Sequence, residues 1–406
     1  MKKYILSFAA VTAMLASCSQ DDHLEIAGND TADSTLQPIT TIYASSENGT
    51  RAAVNGNDRT QILWQDGDKM KVFNSGMTAS FSLYDGAGTT SGVFENAESS
   101  ITSIVAVMYP YQEDATFANN KLSFEIPTVQ EGVTGSFDKN AAIMYAIGSS
   151  ANPQLSLAVN FLKVTIPDDD VVRSVTISSP STPLTGKMEL QNGNVSAVTG
   201  KGCNYVRLIP ANGATFAAGD YYIAVKPGEI VTPTISFIES KSNCALQEKS
   251  KTSRQNIQFL RNNNVMPLNV DFNTTRIAVQ LWEGGPYFAE ENVGAGVTND
   301  NTLSFGDYYA WGGCQDRGND YWTGEGMLTG DHDTATKLWG PNWRMPTAAE
   351  LQALLENCNA SWLTIDVGCY FRGKVEPYRD YNVFFPADIY NYGGAVRCYW
   401  SSTPDD

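Results

Sequence analysis

The sequence predicts a mainly β protein, with two β-sandwiches in tandem followed by a small α+β domain. Three observations predict it. Short runs of alternating apolar residues recur from Pro38 to about Asn273, the pattern of antiparallel strands with one buried face. Seven of the eight tryptophans and four of the seven cysteines fall after Thr274, a shift in composition that indicates a separate domain. That last region also holds the clearest helix start of the chain, Thr347-Ala348-Ala349-Glu350. With 406 residues, 42% of them hydrophobic and 17% charged, the chain exceeds one hydrophobic core and has the composition of folded protein.

At the N-terminus, Lys2 and Lys3 precede an apolar run, Tyr4 to Ala16, too short to span a membrane as a mature helix. Leu15-Ala16-Ser17-Cys18 resembles the lipobox of bacterial lipoproteins. The resemblance implies removal of residues 1–17 as a signal peptide and lipidation of the Cys18 thiol, which anchors the protein to a membrane. An ordinary signal peptide with an incidental cysteine is the alternative. Two or three acyl chains anchor stably where a single chain does not. Ser19-Gln20-Asp21-Asp22 is similar to the surface-export signal of Bacteroidales-type lipoproteins, implying the cell surface and outer membrane; chance acidity in a linker explains the same residues. Residues 18–37 are polar and read as a tether.

Strands are expected where apolar residues alternate: Leu122, Phe124 and Ile126; Val175 and Ile177; Val206 and Leu208; Tyr221, Ile223 and Val225; Ile235 and Phe237. Gly, Pro, Asn or Asp bounds each run. The span suits two sandwiches, residues 38–160 and 161–275, with the junction at the strand that opens Phe161-Leu162-Lys163-Val164. Asp168-Asp169-Asp170 reads as a charged hairpin tip.

Several segments of this region, in order, resemble the fimbrillin (type V pilin) superfamily. They include Trp64-Gln65-Asp66-Gly67-Asp68-Lys69-Met70, Tyr109-Pro110-Tyr111, Ile126-Pro127-Thr128-Val129-Gln130, Pro183-Leu184-Thr185-Gly186-Lys187 and Tyr221-Tyr222-Ile223-Ala224-Val225. The resemblance implies two transthyretin-like Greek-key sandwiches, other pilin subunits as partners, and assembly by strand complementation after an Arg-specific protease removes a first strand. Main-chain hydrogen bonds and alternate side-chain pockets would supply the affinity. The segment Ile39-Thr40-Thr41-Ile42-Tyr43-Ala44 has the β-propensity for that removable strand, marked by Ile39, Thr41 and Tyr43. Arg51 ends the polar stretch that follows and is the candidate cleavage point; a surface residue opening the next strand is the plain alternative.

Residues 276–406 resemble a different family, the Fibrobacter succinogenes major paralogous domain, a relative of C-type-lectin-like folds. Phe305-Gly306-Asp307-Tyr308-Tyr309-Ala310-Trp311-Gly312, Trp343-Arg344-Met345-Pro346-Thr347 and Tyr399-Trp400-Ser401-Ser402 carry the likeness. It implies that the domain continues past Asp406, and that Glu290 or Glu291 stands where relatives often carry a cysteine. A helix begins at the Thr347 cap, with Leu351, Leu354 and Leu355 as its apolar face. A folded domain after the second sandwich would prevent this chain from donating a C-terminal strand. That places it at a filament end, as an accessory or tip adhesin.

Other chemistry is poorly represented. The net charge of -17, from 27 basic and 44 acidic side chains without basic clusters, excludes a nucleic-acid partner. Nucleophile-elbow, phosphate-loop and HExxH patterns are missing, so neither an enzyme nor a cofactor is expected. Candidate contacts to a glycan or surface-protein ligand are Trp311, Tyr321 and Trp322, which flank Gly-rich loops, whereas Trp343 and Trp400 are expected in the core. Asp331, His332 and Asp333 form a compact polar cluster whose aspartates offer oxygen ligands for calcium, but EF-hand spacing is missing, so a solvated turn is the favoured reading and no metal is expected. With Cys18 lipidated, six cysteines remain for disulfides or buried thiols, and no pairing follows from spacing.

Overall fold

The computed structural model describes residues 37–46, 50, 51, 60, 61, 63–167, 171–259, 265–268, 271–295, 306–315, 318, 322–362, 368–386 and 399–404. Residues 1–36, which include Cys18 and the expected signal peptide, with Asp168-Asp169-Asp170 and Tyr321, lie outside them. The fold is mainly β, with two short α-helices among the described residues, at Thr334–Trp339 and Ala348–Asn357. Among the described residues, no helix is long and apolar enough to cross a membrane.

The first sheet closes on itself. Strand β1 (Thr41–Ser46) is followed around it by Gln154–Leu157, Met144–Ile147, Ala106–Tyr109, Lys69–Asn74, Met77–Asp85 and Ser91–Glu95, which returns to β1. Trp64, Met70, Phe73, Phe81, Phe94 and Met108 fill the interior and are buried completely or nearly so. Lys71 is buried beside them because its Nζ donates to the carbonyls of Gln112 (3.1 Å) and Glu113 (2.5 Å). Desolvation pushes this ammonium below the ordinary lysine range.

Near the expected junction at Asn160, the strand Asn160–Ile166 joins two cores. Phe161 stacks on Phe137 at 4.7 Å in the first, while Leu162, Val164 and Ile166 enter the second. The sheets themselves exchange strands across that point. Lys121–Ile126 pairs antiparallel with Thr185–Gln191, and Val129–Gly132 pairs parallel with Tyr205–Pro210. Alternation in Leu122, Phe124 and Ile126 is borne out as a buried stripe.

The C-terminal region grows out of the second sheet. Thr274–Gln280 pairs antiparallel with Ala245–Thr252, and Tyr287–Ala289 adds the outermost strand of a seven-stranded sheet. Beyond it come helix α1 (Thr334–Trp339), helix α2 (Ala348–Asn357) and a three-stranded sheet of Cys358–Trp362, Gly368–Gly373 and Asn382–Pro386. Helix α2 begins at the Thr347 capping box, with Glu350 completing it. Its apolar face is narrower than expected: Leu354 is buried, Leu351 half-buried, and Leu355 is 58% exposed. Among the described cysteines, Cys203, Cys244, Cys358 and Cys369 are free thiols. Burial raises the Cys358 thiol to about 11.

A buried carboxylate fastens this region to the seven-stranded sheet. Glu248 accepts from Trp343 Nε1 (2.6 Å), Asn342 Nδ2 (2.9 Å) and Arg276 Nη1 (3.3 Å). From the neighbouring strands, Arg207 donates to the Pro341 carbonyl (3.0 Å) and Thr176 to Asn342 Oδ1 (2.8 Å). Replacing Glu248 by Ala strands three half-buried donors. The expected loss is about 3 kcal/mol of unfolding free energy in urea titrations. A loss below about 1 kcal/mol would mean that the joint is held by packing alone.

Candidate functional site

Two places concentrate chemistry: the seat of β1 and the aromatic face of the C-terminal region. In the first, β1 is bonded along both edges. It runs antiparallel to Ser91–Glu95, from Thr41↔Glu95 to Ser45↔Ser91, and parallel to Gln154–Leu157 through Ser45↔Gln154 and Ser46↔Leu155. Tyr43 N–H also donates to the Ala151 carbonyl (3.0 Å), and Asn96 N–H to the Thr40 carbonyl (2.9 Å). β-branched Thr41 and Ile42 favour the extended backbone.

The pleat decides which side chains hold β1 in place. Ile42, Ala44 and Ser46 are buried, while Tyr43 is 58% exposed and Thr41 half-buried on the outer face. Ile39 precedes the strand and packs, half-buried, against the core edge. The inward residues are therefore Ile42, Ala44 and Ser46, one position out of phase with Ile39, Thr41 and Tyr43. Alternation alone leaves that parity open, because both sets contain a β-former. Opposite Ala44 lies Gly92, where an added Cβ would stand 2.8 Å from both Leu83 Cδ1 and Trp64 Cδ1. Arg51 follows in a two-residue strand, Thr50–Arg51, parallel to Thr60–Gln61.

In the C-terminal region, Trp311 and Trp322 come together, with ring centres 5.7 Å apart, and Trp322 stacks on His332 at 5.0 Å. Trp311 Nε1 donates to the Ser401 carbonyl (2.8 Å). Glycine is required beside Trp322, since a Cβ on Gly324 would approach its ring to 2.3 Å. These contacts make the pair part of the loop packing. Asp333 is buried, and its carboxylate accepts from Thr336 N–H (2.9 Å) and Met345 N–H (2.9 Å), capping α1 and holding the Trp343–Met345 segment. Asp331 instead pairs with Lys337 (2.6 Å). The two carboxylates have separate partners. Among the described residues no three potential metal ligands gather.

A cavity of about 450 Å³ lies beside them, with Tyr308, Arg344, Glu350, Phe384, Tyr399 and Trp400 in its wall. Trp400 is not core: it is 54% exposed, and its Nε1 donates to the Tyr309 carbonyl (3.0 Å). Trp343 is half-buried and spends its N–H on Glu248. Tyr308 and Trp400 are thus the exposed aromatics of this wall, and sequence reasoning passed over both because they sit inside motifs read as structural. Arg344 forks onto Glu350 with contacts of 2.8 and 2.5 Å. That bond, with the Thr347 cap, holds the Glu350 carboxyl at about 2.

No family model matches the chain, and no curated protein matches it. A solved structure from Parabacteroides distasonis ATCC 8503, provisionally described as a cell adhesion protein, is similar over 61% of this chain and 96% of its own length. The identity is 9% and the TM-score 0.30, and at that score the likeness carries no argument.

The Glu350 carboxyl titrates lower in the folded chain than its ordinary 4.5. Its contribution is therefore complete above pH 4.5 and is lost as the pH falls toward 2. Urea unfolding across that window should show a steeper acid loss in the native chain than in Glu350→Gln. Parallel pH curves would contradict the assignment.

Proposed function

We propose that this chain is a lipid-anchored cell-surface adhesin subunit whose first sandwich gives up β1 and takes a strand from another pilin-type subunit in its place. The observation that supports it most is the position of β1: it alone links Ser91–Glu95 to Gln154–Leu157, so its departure opens a groove with two bare edges. Cleavage at Arg51, beyond the end of β1, would free the strand from the rest of the chain. The C-terminal region, continuous with the second sheet, would carry the ligand contact for a glycan or surface protein. A second reading, a surface lipoprotein that binds ligand without polymerising, is favoured by the cavity beside Tyr308 and Trp400.

The two readings part on the mature N-terminus. Treating the full chain with an Arg-specific protease should yield protein that starts after Arg51 and captures an added strand peptide, residues 38–46, as read by native mass spectrometry. Arg51→Ala should stay intact at that point and capture none. Cleaved protein that takes up no strand peptide would favour the non-polymerising binder.

A further inference from the structure

The seat of β1 contains a hydrogen-bond donor that β1 does not use. Trp64 is completely buried, and its indole Nε1 has no hydrogen-bond partner. Burial of an N–H without an acceptor is uncommon and unfavourable, so such a group calls for an explanation. Its aromatic neighbours give little relief. The Phe94 and Tyr109 rings stand nearly perpendicular to it at 5.0 and 5.1 Å, and a ring face is a weak acceptor. The Tyr109 hydroxyl is already bonded to Asp68.

The donor's surroundings lead back to β1. The carbon bonded to that nitrogen, Cδ1, lies 2.8 Å from where a Gly92 Cβ would stand. Gly92 is directly opposite Ala44 in the antiparallel ladder, and opposed residues of such a pair project to the same face. The Ala44 methyl therefore projects to the same face as the Gly92 position that abuts the N–H-bearing edge of the indole, and it has nothing to accept with. Ile42, the other inward residue of the ladder, sits opposite Phe94 and meets an apolar floor.

We propose that Trp64 reads the strand seated in this groove, favouring one with a small acceptor side chain, serine or threonine, at the position now held by Ala44. The resident strand then fits by shape while leaving a polar contact unmade. An incoming strand with an aliphatic residue at the Ile42 position and a hydroxyl two residues later completes it. This rests on the strand-exchange reading above for its biological meaning, but the physical claim about the groove stands on the intact chain.

A double-mutant cycle on the full chain tests it. Ala44→Ser should raise the folding equilibrium constant on the order of tenfold, the scale of one net hydrogen bond. In the Trp64→Phe background that gain should vanish. An equal or absent effect of Ala44→Ser in the two backgrounds overturns the proposal. Should Trp64→Phe fail to fold, peptides decide: residues 38–46 as they stand, and the same peptide carrying Ala44→Ser, are added to the intact chain in mild denaturant and capture is read by native mass spectrometry. Preferential capture of the hydroxyl peptide, again on the order of tenfold, supports the proposal, and equal capture refutes it. Where neither peptide is taken up, strand exchange fails as a function. Urea unfolding of Ala44→Ser against the native chain then decides the groove claim, with no gain in stability overturning it.

Discussion

The closure of the first sheet by β1 is the constraint on which the rest of the account depends. A sheet that ends in an edge must protect it, and closure removes the problem. Here closure is achieved by a strand with no hairpin partner. Lys69–Asn74 and Met77–Asp85 are joined by the tight Ser75-Gly76 turn, with Gly76 at φ 84°, and so cannot part without unfolding both. By contrast β1 lies antiparallel to one neighbour and parallel to the other, and no short turn ties it to either. It is also the first strand of this sheet in chain order, so it can leave without dragging another with it. Its inward side chains are modest: Ile42 contributes about 1.5–3 kcal/mol of burial and Ala44 much less.

What β1 covers gives that topology its chemical meaning. Trp64, Phe94 and Phe81 form a dry floor beneath the seam. Gly92 is small because the Trp64 and Leu83 side chains occupy the space a Cβ would need. Glu248 gathers donors from Arg276, Asn342 and Trp343, so the cavity-bearing region shares hydrogen bonds and an ionic contact with the seven-stranded sheet. A ligand held near Trp400 would thus pull on β-sheet hydrogen bonds.

Much of the fold was legible where one physical signal dominated. The stripe Leu122, Phe124 and Ile126 reads as an inward strand face, and Thr347 with Glu350 marks the start of α2 from residue types alone. Lys71 was not legible, because its burial depends on carbonyls at residues 112 and 113 that only tertiary folding brings near. Strand exchange between residues 121–132 and 185–210 was hidden for the same reason: pairing partners distant in sequence leave no local pattern. At the site, residues 39–44 read as a strand, but which of its faces turns inward was not legible, since Thr41 and Tyr43 are as strand-prone as Ile42. The aspartates near residue 332 suggested ligands, yet Asp333 serves as a helix cap and Asp331 as half of an exposed ion pair.

Native-state hydrogen exchange at increasing denaturant tests most directly whether β1 is a separable closing strand. The account predicts that the amides of Thr41–Ser46 exchange through a partial opening, at lower free energy than those of Lys69–Asn74 and Ala106–Tyr109. Exchange of all three segments at one common free energy, through global unfolding alone, would contradict it.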